Sequence, residues 1–277
     1  MSEALQHGMM RRVLSAVFAL FLLAGCAGTP GGTSGPTSSQ FAQSGSVAAV
    51  DRDIDPIEGV NRFIFAFNEF LDTFIFQPLA ATYRVILPDG VRDSVRAFLR
   101  NLNTPVILAN DVMQGSWDRA EVTLARFVIN TSVGVGGLFD AADSMGYDYH
   151  EEDFGQTLGT YGVGSYPYIV LPILGPSTAR DTAGLIVDSF LDPLGYVVDD
   201  EIMLGRRFAQ GIDFRARNIE NIEELKRDSI DYYARIRSVF LQRRVDEINN
   251  GERADGYPAP GLTGEDFDDD GQLSTFE

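Results

Sequence analysis

The alternation of apolar and polar positions is strongest over residues 56–76, where it predicts an amphipathic helix with an unusually wide apolar face. Asp55 suits the N-cap and Pro56 the first helical position. The apolar positions are Ile57, Val60, Phe63, Ile64, Phe65, Phe67, Phe70, Leu71, Phe74, Ile75 and Phe76. The polar positions form one narrow stripe: Glu58, Asn61, Arg62, Asn68, Glu69 and Asp72. Two interpretations fit: a core helix of a soluble domain, or a helix between acyl chains and a polar lumen.

Helical spacing recurs along the chain and predicts further helices at 91–102, 104–113, 117–131 and 214–249. In the helix at 91–102, we expect the apolar residues on the buried face: Val91, Val95, Phe98, Leu99 and Leu102. The same spacing places the charged residues Arg92, Asp93, Arg96 and Arg100 on the outer face.

Two short stretches interrupt the helical pattern. Residues 166–174 favour a strand by composition, but Pro167 and Pro172 indicate an edge strand or irregular backbone instead. The glycines Gly134, Gly136 and Gly137 predict a tight turn with close helix packing rather than a phosphate-binding loop. We therefore predict one all-α domain over residues 56–250.

The N-terminus has the features of an export signal. Arg11 and Arg12 precede an uncharged apolar run at 13–23, and Leu23-Ala24-Gly25-Cys26 follows. The run is too short to span a bilayer, which needs about 20 apolar residues. We predict a signal peptide at 1–25, acylation of Cys26, and a flexible tether over 26–55 that is rich in glycine, serine and threonine.

The charge distribution narrows the possible partners. The formal net charge is −18, so nucleic-acid binding is not expected. Half of this charge comes from the C-terminal end of the chain, and we predict that 251–277 is an acidic, solvated tail. Within this tail, Asp266, Asp268, Asp270 and Glu277 have the spacing of a calcium-binding loop. A solvated tail and weak calcium binding both remain open for this segment.

The sequence contains little that resembles catalytic machinery. His150 is the only histidine outside the predicted signal peptide, and a lone histidine in a loop usually only forms hydrogen bonds. There is no nucleophile elbow and no zinc-protease motif. We therefore expect neither an enzyme nor a bound cofactor or metal in the domain.

Residues 55–245 contain a series of short motifs in a distinctive order and spacing. They include Asp55-Pro56-x-Glu58, Asn61-Arg62, Phe67-Asn68, Asp72, Pro78-Leu79-Ala80, Gln114-Gly115, Asn130-Thr131, Gly136-Gly137-Leu138-Phe139-Asp140, Glu152-Asp153-Phe154-Gly155-Gln156-Thr157-Leu158-Gly159 and Gly162-Val163-Gly164.

With these motifs, residues 55–245 resemble the MlaA/VacJ family of outer-membrane lipoproteins. The resemblance implies a function in lipid transport. Family members are helical rings in the inner leaflet that surround a polar channel. They take mislocalised phospholipid from the outer leaflet and pass it to a periplasmic carrier protein, and they associate with an outer-membrane porin. We therefore expect a lipid-anchored protein of the outer membrane that faces the periplasm. The alternative is a structural, porin-associated lipoprotein that moves no lipid.

The resemblance also implies a gating hairpin at residues 161–175, with Gly162 and Gly164 as hinge candidates. Ordinary turn geometry would explain both glycines equally well. Arg126 and Arg180 have two possible roles, contact with a headgroup phosphate or pairing with carboxylates such as Asp181. The sequence favours pairing.

Overall fold

The computed structural model describes residues 54–250, and this part of the chain is predominantly helical, as predicted. Short 3₁₀ turns occur at Asp143–Met145 and Pro193–Tyr196. The α-helices are Glu58–Leu71 (α1), Gln77–Ile86 (α2), Asp89–Gln114 (α3), Trp117–Ser132 (α4), Phe154–Thr160 (α5), Ala179–Leu191 (α6), Asp200–Arg217 (α7), Ile219–Asp228 (α8) and Tyr232–Ile248 (α9). Two strands, Tyr168–Leu171 (β1) and Gly175–Thr178 (β2), form a single antiparallel hairpin. The predicted signal peptide, Cys26, the tether up to residue 53 and the acidic tail lie outside the described residues.

The first predicted helix is longer than expected. A π-helical turn, Asp72–Phe76, joins α1 directly to α2, so the predicted end at Phe76 is wrong. Pro78 lies in the first turn of α2, where its missing N–H matters little. The predicted N-cap is also wrong, because Ile57 occupies that position and Asp55 is buried among other partners.

Helix α3 combines two predicted helices into one. Pro105 lies inside it, and the helix continues because the flanking residues Leu99, Val106 and Ile107 are buried against neighbouring elements. Tertiary packing here outweighs the loss of one backbone hydrogen bond at proline. The prediction for α4 is correct to within one residue.

The predicted orientation of α3 is only partly correct. Leu99 is buried as expected, but Val91 is 45% exposed and Phe98 is 38% exposed, whereas the Arg92 side chain is only 16% exposed. The helix therefore partly buries the guanidinium group of Arg92 and exposes part of its predicted apolar face.

The long C-terminal helix predicted at 214–249 is three helices. Helix α7 ends at Arg217, and the side-chain amide of the next residue, Asn218, donates to the carbonyl of Phe214. Helix α9 begins after Asp231, whose carboxylate accepts from the backbone N–H of Ala234. Both residues form local side-chain hydrogen bonds that compete with a continuous helix, so the apolar spacing alone is misleading.

The hairpin and helix α9 together form a buried apolar cluster. Tyr168 pairs with Thr178 and Leu171 with Gly175 across the two strands. Tyr168 and Val170 are fully buried and pack with Tyr233 of α9. The predicted strand is thus confirmed for its central four residues, and β2 supplies its partner.

The turn after α4 is confirmed as a close-packed glycine turn. A β-carbon on Gly134 would lie 2.2 Å from the carbonyl oxygen of Phe139. Gly137 has φ +91°, and a β-carbon there would lie 2.5 Å from that of Asn101. Only glycine fits this approach between the turn and helix α3.

Candidate functional site

The first feature of the candidate site is the exposed apolar face of α1 and the π-turn. Phe63 is 76% exposed, Phe70 57% and Phe74 66%. A helix in the core of a soluble domain would bury these side chains. The core-helix interpretation of this segment is therefore wrong.

The polar stripe of the same helix faces the rest of the protein. Asn61 is fully buried, and its side chain contacts the hairpin. Arg62 pairs with Asp231 at 2.6 Å, and Asp72 accepts from Arg215 at 2.7 Å. The helix is thus amphipathic in the inverted sense, with its polar face inside.

Asn61 and Asn68 hold the hairpin through paired hydrogen bonds. Asn61 donates to the carbonyl of Tyr168 (3.1 Å) and accepts from the N–H of Val170 (2.9 Å). Asn68 donates to the carbonyl of Leu171 (2.9 Å) and accepts from the N–H of Ile173 (2.7 Å). A side-chain amide has one donor group and one acceptor, as a peptide has. Each asparagine therefore replaces a neighbouring strand, and we call the pair the asparagine clasp.

Asp55 completes the clasp from the other side. Its Oδ1 accepts from the Asn61 amide at 2.7 Å. Its Oδ2 accepts from Arg237 of α9 at 2.9 Å and from the Tyr233 hydroxyl. One buried carboxylate therefore fixes the orientation of Asn61 and links the hairpin to α9.

The inverted arrangement extends over the described region as a whole. Among residues 54–250, the buried residues comprise 21 polar or charged ones but only 12 apolar ones. Large apolar side chains are exposed in several places besides α1. They include Val85, Ile86, Phe139, Tyr196, Val197 and Leu204. Extended exposed apolar surface marks contact with a membrane or a partner. No helix in this region is long and apolar enough to cross a bilayer.

A polar network connects α3, α5 and α6. Glu152 accepts from Gln114 (2.6 Å) and from Arg119 (2.8 Å). Asn110 links Thr157 of α5 to Asp188 of α6, with both hydrogen bonds 2.9 Å long. Burial raises the pKa of Glu152 and likewise that of Asp188. The junction of α3, α5 and α6 is therefore held together by hydrogen bonds between buried polar groups rather than by apolar packing.

A second charged cluster lies where α5, α6 and α9 meet. Arg244 donates to Asp153 (2.8 Å) and to Asp181 (2.8 Å), while Arg180 contacts Asp181 at 3.0 Å. Burial alone would raise the pKa of Asp153, but hydrogen bonds from Arg244 outweigh burial and lower it. The predicted pairing of Arg180 is thus confirmed.

Arg126 is paired as well, although with a different carboxylate. Its guanidinium donates to Asp140 at 2.6 Å and to the carbonyl of Tyr147. His150 forms hydrogen bonds, as predicted, with Asp111 (3.1 Å) and Thr123 (3.1 Å). The same nitrogen, Nε2, contacts both residues, so this histidine does not form a relay between a carboxylate and a nucleophile. Residues 54–250 contain no cluster of histidine, cysteine or acidic side chains suited to a metal ion.

The hinge candidates Gly162 and Gly164 lie between α5 and β1, in the segment that leads into the hairpin. Gly162 has φ +84°, and neither glycine has an atom within 4 Å of the position of an added β-carbon. Open space and a left-handed conformation fit both a turn and a hinge, so the hinge role stays a prediction.

Comparison with known proteins identifies the family. A model of the family described as "MlaA lipoprotein" matches residues 53–247. The chain belongs to the MlaA lipoprotein family. The resemblance seen in the sequence motifs is therefore confirmed, and it covers α1–α9 and the hairpin.

Named relatives of this family member span most of its length. It is 35% identical over 202 residues to the intermembrane phospholipid transport system lipoprotein MlaA of Escherichia coli K12, covering 72% of this chain and 80% of that protein. The corresponding Haemophilus influenzae lipoprotein is 30% identical over 247 residues, covering 87% and 92%. A solved structure concerned with the maintenance of bacterial outer membrane lipid asymmetry matches with a TM-score of 0.65 and 35% identity. That match covers 70% of this chain and 99% of the other.

The sequence pattern did not reveal the clasp, although a signal was present. Asn61 and Asn68 are seven residues apart, which places them on one face of a helix. Asparagine has a low helix propensity because its side chain competes for backbone groups. Two asparagines at this spacing inside a strongly helical stretch therefore indicate side-chain hydrogen bonds to another segment.

Proposed function

We propose that this protein is the outer-membrane lipoprotein of an intermembrane phospholipid transport system. It removes mislocalised phospholipid from the outer leaflet of the outer membrane and passes it to a periplasmic carrier protein, which maintains lipid asymmetry. The named relatives and the family match support this function. The transfer breaks no covalent bond, so the protein is not an enzyme.

The observation that carries the proposal is the inverted amphipathic helix α1. Its exposed phenylalanines suit contact with acyl chains, since burying one such side chain contributes about 1.5–3 kcal/mol. Its polar face and the interior behind it suit a charged headgroup. Moving a polar group through hydrocarbon costs several kcal/mol, and a polar path avoids most of this cost.

The finer features of the proposal follow from this division. The helices surround a polar channel in the inner leaflet, and the apolar surface keeps the domain in the membrane. Acylated Cys26 anchors the protein to the outer membrane on its periplasmic side. The hairpin gates the channel, with Gly162 and Gly164 as hinges, and an outer-membrane porin holds the assembly in place.

A second function, that of a structural porin-associated lipoprotein, explains the exposed apolar surface equally well. It does not require the polar interior or a hairpin held by two asparagine side chains. The two functions differ in whether the purified protein moves lipid without any porin.

Transfer between vesicles separates the two functions. The purified lipidated protein is reconstituted into vesicles that contain a phospholipid labelled on its acyl chain, and a soluble periplasmic lipid carrier serves as acceptor. We expect the carrier to acquire label only when the protein is present. Vesicles that carry an unrelated acylated protein are the control. Equal label on the carrier in both cases would leave only the structural function.

A further inference from the structure

Helix α3 carries a row of three partly buried arginines, Arg92, Arg96 and Arg100, which we call the arginine ladder. The residues are spaced four apart, so they lie on one face with about 6 Å between successive positions. All three are at least partly buried. The Nε of Arg92 is buried and has no hydrogen-bond partner.

The ladder ends at an aromatic ring between two guanidinium groups. The Cζ of Arg100 lies 4.0 Å from the centroid of the Tyr149 ring, and that of Arg126 lies 5.4 Å from it. Burial raises the pKa of Tyr149, and the positive charges of Arg100, Arg126 and Arg96 oppose this rise. The guanidinium groups of Arg100 and Arg126 therefore both lie close to this ring.

A small cavity begins at the next turn of α3. It is lined by Thr104, Ile107, Thr123, Arg126, Tyr149 and His150. Thr104 continues the spacing of the ladder, four residues beyond Arg100. One lining residue of the cavity, Thr104, therefore lies on the same face of α3 as the ladder.

Like charges four residues apart on a helix destabilise it. A carboxylate balances part of this charge, since Arg92 pairs with the exposed Asp89. Arg96 and Arg100 also make contacts within the protein. A guanidinium has five N–H donors, so an arginine that keeps a protein partner can still bind a phosphate with its remaining donors.

We propose that the arginine ladder binds the phosphate of an anionic phospholipid headgroup and makes the protein prefer anionic lipids to zwitterionic ones. Guanidinium groups bind phosphate oxygens in pairs, and successive arginines offer successive binding positions along α3. A headgroup such as phosphatidylglycerol has no ammonium to balance its phosphate, so it gains more from the ladder than phosphatidylethanolamine does. This inference rests on the proposed function and adds its substrate class.

Analysis of the retained lipid tests the proposal. The purified protein is incubated with vesicles of equal phosphatidylglycerol and phosphatidylethanolamine content, separated from them, and its bound lipid is quantified by mass spectrometry. We expect the wild-type protein to be enriched in phosphatidylglycerol. The Arg96→Gln/Arg100→Gln variant should lose the enrichment by about tenfold or more. Arg227→Gln removes an exposed charge on α8 and should keep the enrichment.

Further arms separate folding from binding. Arg96→Lys/Arg100→Lys keeps the charge but loses the paired donors, so we expect intermediate enrichment with unchanged circular dichroism. If the ladder binds the phosphate of a lipid headgroup, an excess of inorganic phosphate should leave the enrichment in phosphatidylglycerol intact. Release of the lipid preference by free phosphate would overturn the headgroup assignment.

The remaining outcomes also decide the matter. Wild-type protein that retains both lipids in vesicle proportions would overturn the inference while leaving lipid transport standing. Wild-type protein that retains no phospholipid would overturn the inference and the proposed function together. Equal enrichment in the glutamine variant and the wild type would show that other residues set the preference.

Discussion

Asn68 offers a direct test of how the hairpin is held against helix α1. Asn68→Ala removes the donor to the carbonyl of Leu171 and the acceptor for the N–H of Ile173. Each lost hydrogen bond should cost about 0.5–1.5 kcal/mol, so the local loss is ~2 kcal/mol. Asn61 has three such bonds and is fully buried, so its removal threatens folding and makes it the less useful site.

Amide hydrogen exchange measures this loss at single residues. A local cost of ~2 kcal/mol corresponds to roughly thirtyfold faster exchange, since 1.4 kcal/mol is a factor of ten. In Asn68→Ala, we expect the Ile173 amide to show this acceleration. The Val170 amide, which donates to Asn61, should change much less.

Two variants act as controls for this measurement. Asn68→Asp keeps an acceptor for the Ile173 amide, so protection at that position should largely survive. Thr73→Ala changes an exposed residue of the π-turn and should leave both amides unaffected. Equal acceleration of Ile173 and Val170 in Asn68→Ala would refute the idea that each asparagine holds its own half of the clasp.

Three other perturbations test the remaining parts of the account. Phe63→Ser/Phe70→Ser should weaken vesicle binding by about 3–6 kcal/mol in partition free energy while thermal unfolding in detergent stays nearly unchanged, because both side chains are exposed; a large drop in melting temperature would indicate core residues. Gly164→Pro should slow lipid transfer by restricting the predicted hinge, whereas Gly28→Pro in the predicted tether should not; equal rates would remove the hinge. Cys26→Ala should abolish acylation and move the protein out of the outer-membrane fraction, and unchanged fractionation would contradict the anchor.

The apolar pattern predicts where helices form better than it predicts which way they face. The segment at 56–76 and helix α4 follow from spacing alone, because periodicity is a property of the local sequence. The inward turn of Arg92 does not follow, since the rule that places charges outside assumes water on the outside. Where the exterior is apolar, the polar positions of an amphipathic helix lie on the inner side.

The errors at helix ends have a different origin. At Pro105, burial of neighbouring side chains keeps α3 intact despite a residue that normally ends helices. At Asn218 and Asp231, single side-chain hydrogen bonds divide a segment with continuous apolar spacing. Both effects depend on contacts or caps that the apolar period does not record.

The site was predictable only in part. The family motifs point to the hairpin and to Gly162 and Gly164, but not to what holds the hairpin against α1. The clasp needs Asn61 and Asn68 to meet a strand more than a hundred positions away along the chain. Such a contact between distant segments is a property of the tertiary fold.

The most direct test of lipid transport is the phospholipid content of the outer leaflet in living cells. Cells that lack this protein are compared with the same cells complemented by the wild-type gene, using the susceptibility of surface phospholipid to an externally added phospholipase. The account predicts that phospholipid accumulates in the outer leaflet of the deletion strain and that the wild-type gene restores asymmetry. An outer leaflet of normal composition in a clean deletion would contradict the central claim.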